Sequence, residues 1–141
     1  MPKHLFFILL GLLATSVEAR EAELESRYSV DQTLERYIAG LQKAGVQVFR
    51  KEVATNPITG KPEAKVVFAN PFYGTRIGEC HKGMRKDEPL QTLIRQNGNG
   101  EVVVFYQIPD TPVNSFGVIE CGHEADNITR TLNDFAAVAT H

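Results

Sequence analysis

Two short clusters hold the side chains with the widest chemical range in this sequence. In "GECHKGM" the thiol of Cys80 is followed directly by His81, and Met84 adds a thioether. In "IECGHEAD" the other thiol of the chain, Cys121, stands two residues before His123. Thiolates with imidazoles form a ligand set that zinc accepts, and a thioether suits copper. The same thiols could instead form a disulfide, or Cys121 could act as a nucleophile.

The N-terminal residues indicate the compartment in which these thiols would act. The stretch "MPKHLFFILLGLLATSVEAR" has a basic start at Lys3, an apolar run over residues 5–14 and a polar segment that ends at Ala19. This order is typical of a signal peptide, and the apolar run is shorter than the roughly 20 residues that cross a bilayer as a helix. We therefore predict cleavage after Ala19. The mature chain, residues 20–141, is expected to be a soluble periplasmic or secreted domain with no membrane contact.

Export favours a disulfide between Cys80 and Cys121. The periplasm is kept oxidising, and an even number of cysteines is typical of bridged exported chains. Both thiols fall in long irregular stretches, residues 72–89 and 109–123, which are expected to leave the sheet at the same edge. Closing a loop of roughly 40 residues would add about 4 kcal/mol to the free energy of unfolding if only chain entropy is counted.

Two alternatives to the disulfide stay open. A metal site would use Cys80 and Cys121 with His81 or His123 and with Met84, although C-H and C-x-H are tighter spacings than those of zinc fingers. No C-x-x-C-H motif is present, so c-type haem is excluded, and we predict no cofactor. A catalytic Cys121 would be activated by the N-terminus of the last helix, but no third group that orients a base can be named. No catalytic residue is predicted, and whether the chain is an enzyme stays open.

The first irregular stretch also carries a set of cations. Glycines lie between them, so flexible backbone amides and positive charges could together cradle a small anion. Acidic neighbours dilute this charge, and charged runs are usually solvated surface. The candidate anion-binding residues are Arg76, Lys82, Arg85 and Lys86.

The spacing of apolar and charged residues predicts the strands and helices that surround the two clusters. Leu24, Ser26 and Tyr28 alternate with charged residues, which predicts a first strand with one face inward. Ser29 and Gln32 then form a capping box that opens an amphipathic helix, and Gly45 follows it as a left-handed cap.

Four further strands and a second helix are predicted after this helix. The strands cover residues 46–53, 64–70, 90–96 and 101–108, and the apolar third strand, which ends at Pro71, is expected to be central. "NGNG" predicts a hairpin between the last two strands. A final helix after His123 would bury residues such as Ile128 and Leu132. This order predicts a two-layer α+β sandwich with both helices on one face of an antiparallel sheet.

Composition excludes one class of partner. The chain has 15 Lys+Arg against 17 Asp+Glu, for a net charge of -2. A nucleic-acid-binding domain would need a strongly basic face, so we predict no nucleic-acid partner.

The order of these motifs resembles a known family. "YSVDQTLERYIAGLQKAGVQVF", "VVFANPFYGT", "DEPLQTLI", "VVVFYQIP" and "FGV" together are similar to the bacterial domain of unknown function 302, the TT-seventeen-fifty-one-like family. Asn70-Pro71 after a central strand is its most specific element. The resemblance implies a β-α-β4-α domain of TATA-binding-protein-like topology and a possible homodimer. It implies no activity, and it does not require the cysteines or histidines.

Together these observations predict an exported, non-catalytic ligand-binding or protein-interaction module whose unknown ligand or partner meets the two irregular stretches. The alternative is a metal-handling (copper or zinc) or thiol-redox protein that uses the Cys/His-bearing loops.

Overall fold

The computed structural model describes residues 19–72, 89–109 and 118–141; at 19, 20, 109 and 118–125 it describes the backbone alone. Within these ranges the chain forms a strand, a helix, four strands and a helix, the predicted order. The elements are β1 (Ala19–Ser26), α1 (Val30–Lys43), β2 (Val48–Thr55), β3 (Pro62–Phe68), β4 (Leu90–Gln96), β5 (Val102–Pro109) and α2 (Val118–Thr140).

All strands of the described sheet are antiparallel and lie in the order β1-β5-β4-β3-β2. Strands β1 and β2 are therefore the edges and β4 is the middle strand. The third strand, predicted to be central, is interior but lies one place from the edge. Its apolar sequence reflects burial on both faces, since Val67 on the face away from the helices is also buried.

Helix α1 forms for the reasons that the sequence predicts. The Ser29 hydroxyl accepts from the Gln32 backbone N–H, and the Gln32 side chain accepts from the Ser29 backbone N–H, which completes the capping box. After the helix, Gly45 has a φ of 78°, a conformation that glycine adopts without steric cost.

Strand β1 lies earlier in the chain than predicted. It ends at Ser26, because there the chain turns toward α1 and makes new bonds. The Tyr28 backbone N–H donates to the Ser26 hydroxyl at 3.1 Å, and the Arg27 N–H donates to the Thr140 carbonyl at 3.2 Å. Tyr28 is therefore outside the strand, contrary to the prediction.

Helix α2 begins at Val118, well before His123, where the sequence predicted irregular structure. Gly122 lies inside this helix, and a glycine there costs only about 1 kcal/mol relative to alanine. Burial of Ile128, Leu132 and Ala136 on the same helix offsets that cost. Cys121 and His123 consequently belong to α2 and not to an irregular stretch.

Both helices cover one face of the sheet, and α1 also packs against α2. The core between the layers includes Tyr37 and Phe68, whose ring centroids are 6.1 Å apart. Two hydrogen bonds in this core each join a pair of buried hydroxyls. Ser26 Oγ lies 2.7 Å from Thr33 Oγ1, and Tyr37 Oη lies 2.8 Å from Thr92 Oγ1. Among the described residues, no helix is both long and apolar enough to span a membrane.

Candidate functional site

Most residues that the sequence analysis selected lie outside the described ranges. These are Cys80, His81 and Met84 and the cations Arg76, Lys82, Arg85 and Lys86. The backbone of Cys121 and His123 lies in the first two turns of α2, but their side chains are not described. The disulfide, the metal site and the anion site therefore remain predictions.

The described backbone does show where the two predicted irregular stretches attach. Strand β3 ends at Phe68, whose partner across the ladder is Leu90, the first residue of β4. Strand β5 ends at Pro109, and its register with β4 brings that end beside Leu90. Both stretches thus attach to the same end of the sheet, as expected from the sequence.

Asn70 shapes the chain as it leaves β3. Its side-chain oxygen accepts from the Phe72 backbone N–H at 2.9 Å, and both residues are buried. This local bond closes a turn of the kind that Asn side chains favour. It directs the Phe72 ring into the core, which explains the structural use of the Asn70-Pro71 motif.

A small cavity of about 260 Å³ lies at this end of the sheet, between the strands and α2. Tyr106 lines it and donates a hydrogen bond from its hydroxyl to Asn133 Oδ1 at 2.5 Å. Burial raises the pKa of Tyr106 above its ordinary value, so this hydroxyl stays protonated near neutral pH. The bond therefore positions α2 against β5.

The face of the sheet that the helices leave uncovered carries both apolar and charged side chains. Residues directly opposite each other across an antiparallel ladder share a face, so the register defines this open face. Its middle is apolar: Phe105 lies between Glu23 and Leu93, and Val103 lies between Glu25 and Arg95. We use the term open face for the following residues: Glu21, Glu23, Glu25, Arg50, Glu52, Ala54, Glu63, Lys65, Val67, Gln91, Leu93, Arg95, Val103, Phe105 and Gln107.

Charges on the β2, β3 and β4 side of the open face pair with one another. Arg95 Nε lies 3.3 Å from Glu63 Oε2, and its guanidinium carbon lies 5.7 Å from the centre of the Phe105 ring. Glu52 contacts Arg50 Nε at 3.0 Å and Lys65 Nζ at 3.6 Å. These half-exposed pairs each contribute little to stability, but they fix where charge is presented.

The β1 side of the open face is uniformly acidic. Glu21, Glu23 and Glu25 alternate along the strand and are exposed. In the described part of the chain, none of them lies within ion-pair distance of a cation. The open face is thus divided into an acidic edge, an apolar middle and a side of paired charges.

A depression of about 400 Å³ crosses the open face and is lined by residues from all five strands. Leu93 and Phe105, both half-buried, supply its apolar floor. Carboxylates, amides and one ammonium surround them: Glu21, Glu52, Glu63, Gln91, Gln107 and Lys65. An apolar floor with a few polar groups around it is the usual composition of a binding site.

The chain is similar to curated proteins over part of its length. No protein-family model matches the chain. Over 95 residues it is 28% identical to the Fluoride-specific ion channel FluC 1 of Brucella suis, a match that covers 64% of this chain and 37% of that protein. The Brucella abortus protein of the same name matches equally at 28% identity, with 35% of its length covered. The chain therefore spans about a third of the curated proteins that it matches.

A solved structure supports the fold. The uncharacterized conserved protein DUF302 from Bacillus stearothermophilus superposes with a TM-score of 0.54 at 15% identity, over 85% of this chain and 94% of that chain. The predicted α+β class, with two helices on one side of an antiparallel sheet, is confirmed, and the fold is like that of DUF302 proteins. At this identity the likeness concerns the fold and not the function.

Sequence reasoning missed the open face. The alternation of Glu21, Glu23 and Glu25 is visible in the sequence, and it predicts that the three carboxylates share one face. What faces them depends on β1 pairing with β5, a contact between residues far apart in the chain. No local signal specifies that pairing.

Proposed function

We propose that this chain is an exported, non-catalytic binding module of the DUF302 (TT-seventeen-fifty-one-like) family, that it acts as a homodimer, and that it binds its ligand or partner on the open face. The depression across the open face is the observation that supports this proposal. The family rests on the resemblance of the sequence motifs and on the fold, and the homodimer rests on the resemblance alone.

The composition of the depression suits recognition of a partner. Leu93 and Phe105 are half-buried on a face that no described element covers, so a partner would gain apolar contact there. The paired charges of Glu63 and Arg95 around this floor would orient the partner more than they would tighten binding.

Export and a Cys80–Cys121 disulfide belong to the same proposal. Cleavage after Ala19 would remove only the first residue of β1. The segment between β3 and β4, which holds Cys80, and the segment that leads from β5 to α2 both leave the sheet at one end, so a bridge from Cys80 to Cys121 of α2 would stabilise that end. A metal-handling or thiol-redox role for Cys80, His81, Met84, Cys121 and His123 is the competing proposal.

Native mass spectrometry of the chain isolated from periplasm, paired with a thiol titration, decides between the two. We expect a dimer mass, no bound metal, a protomer lighter by two hydrogens and thiols that react only after reduction. The Cys80→Ser variant should then lose stability by an amount up to about 4 kcal/mol. Stoichiometric copper or zinc, with thiols that react only after chelation, would contradict the binding-module proposal in favour of the metal-handling one.

As a second candidate, we propose that the chain acts in fluoride handling beside a membrane channel. The observation that favours it is the 28% identity over 95 residues to proteins described as fluoride-specific ion channels. A strain that lacks the chain should then grow less well in fluoride, with growth in chloride as the control. Equal growth in both salts would remove this candidate and leave the first unaffected.

A further inference from the structure

The two edges of the sheet are built differently. Strand β2 carries a register shift between Val48 and Arg50 and a lysine, Lys51, at its middle. Bulges and edge lysines are devices that discourage pairing with another strand. Strand β1 pairs with β5 over all its eight residues without a register shift, and in the described chain no strand lies on its outer side. Only the β1 edge is left regular and ready for strand addition.

The side chains of β1 present two different chemistries to an added strand. Glu21, Glu23 and Glu25 lie on the open face, with Gln107, Phe105 and Val103 as their neighbours on β5. Those neighbours carry no positive charge, so the three carboxylates remain uncompensated within the described sheet. On the other face, Ala22 and Leu24 are half-buried and pack against the core, which leaves part of each able to contact a further apolar residue.

We propose that the free edge of β1 binds an extended segment of a partner protein that has lysine or arginine at alternate positions and apolar residues between them. This inference rests on the proposed function, because it names the partner of a binding module and places the partner's cations beside the acidic edge of the open face. In strand addition, main-chain hydrogen bonds supply affinity and alternate side chains supply specificity. Residues directly opposite across the new ladder share a face, so the cations lie against the three glutamates and the apolar residues extend the core beside Leu24.

The same arrangement argues against a second copy of this chain at the β1 edge. Antiparallel pairing of two β1 strands centred on residue 23 places Glu23 against Glu23 and each Glu21 against a Glu25. Like charges directly opposite each other destabilise a ladder. The three glutamates therefore select a basic segment and also reject self-association at this edge.

A synthetic peptide tests the proposal on the mature chain. The probe is a seven-residue peptide in which lysine alternates with valine and alanine, and its counterpart has glutamate in place of lysine. Binding is followed by fluorescence anisotropy, and hydrogen exchange locates the amides that become protected. The key variant is Glu23→Lys, and the matched control is Glu35→Lys, which makes the same charge reversal on the exposed surface of α1.

We expect the lysine peptide to bind the wild-type chain and to protect amides of β1. The Glu23→Lys change should weaken this binding about tenfold, because it replaces an attractive cross-strand pair with a repulsive one. Glu35→Lys should leave binding unchanged, and the glutamate peptide should prefer the Glu23→Lys variant.

Equal effects of the two variants would overturn the proposal, as would protection of β2 amides or self-association of the chain through β1. Failure of the peptide to bind would also overturn it, and the mass measurement would be unaffected. Bound metal in that measurement would remove the proposed function by a separate route, so the two failures are distinguishable.

Discussion

Tyr37 is the described side chain whose ionisation should have the largest effect on stability. Its ring is 1% exposed, and its hydroxyl lies 2.8 Å from Thr92 Oγ1, which is equally buried. Burial raises the pKa of Tyr37 from 10.0 to about 12, because the phenolate would lose its hydration; the bond from Thr92 offsets this only in part. Between pH 10 and about 12 the folded chain therefore keeps Tyr37 protonated, whereas the unfolded chain releases the proton.

The sign of the pH dependence follows from that difference. Below pH 10 both states hold the proton, so Tyr37 does not make the free energy of unfolding depend on pH. As the pH rises from 10 toward about 12, the unfolded state ionises first and stability is lost. At pH 11, midway between the two pKa values, ionisation of Tyr37 in the unfolded state should lower the free energy of unfolding by roughly 1 kcal/mol.

Two variants separate this loss from the other alkaline titrations. Tyr37→Phe removes the ionisable hydroxyl and leaves Thr92 buried without this partner, which should cost about 1–2 kcal/mol near pH 8. Near pH 11 that deficit should shrink by roughly 1 kcal/mol, because the wild type alone has lost stability through Tyr37. Thr92→Val breaks the same hydrogen bond but keeps the phenol, so it should retain the alkaline loss.

Urea denaturation followed by circular dichroism at the two pH values measures these differences. A Tyr37→Phe deficit that stays constant from near pH 8 to near pH 11 would refute the reasoning. So would a Thr92→Val variant that behaves like Tyr37→Phe, since that result would assign the pH dependence to the hydrogen bond instead of the ionisation.

Substitutions at three further positions test how the helices are held. Gly40→Ala should stabilise the chain by up to about 1 kcal/mol, because the added Cβ would lie 3.6 Å from Val138 Cγ1, an ordinary contact; a lowered melting temperature would contradict this. Arg36→Ala should cost about 1–2 kcal/mol in urea denaturation, since the guanidinium donates to the Val138 carbonyl at 3.0 Å; Arg36→Met, which keeps the aliphatic stem, should show how much of that loss is hydrogen bonding. Ser29→Ala should cost about 1 kcal/mol and Ser29→Asp much less, because only the first removes the side-chain acceptor of the Gln32 N–H; equal losses would argue against the cap.

Local signals predicted the parts of the fold that depend on short stretches of chain. The spacing of Val30, Leu34 and Tyr37 specified the buried side of α1, and the cap and the following glycine specified its ends. "NGNG" specified the β4–β5 hairpin, where Gly100 has a φ of 90°. In each case the residues that determine the structure are neighbours in sequence.

Features that depend on distant contacts were not predictable in the same way. The apolar sequence of β3 suggested the central strand, but any strand buried on both faces has that composition. The sequence predicts the start of α2 only after His123, whereas packing of the later turns carries the helix back through Gly122 to Val118. The open face required the order of strands, which connects residues about 80 positions apart.

The described contacts of α2 show what a Cys80–Cys121 bridge would add. The helix has 23 residues, so it extends about 35 Å. Its C-terminal carbonyls are well bonded: Val138 accepts from Arg36, Thr140 from the Arg27 N–H, and His141 from the Tyr28 hydroxyl. A bridge at Cys121 would hold the opposite end of the helix, its first turn. The disulfide would then stabilise the end of the sheet to which both irregular stretches attach, while the open face would keep its shape through its own ladder.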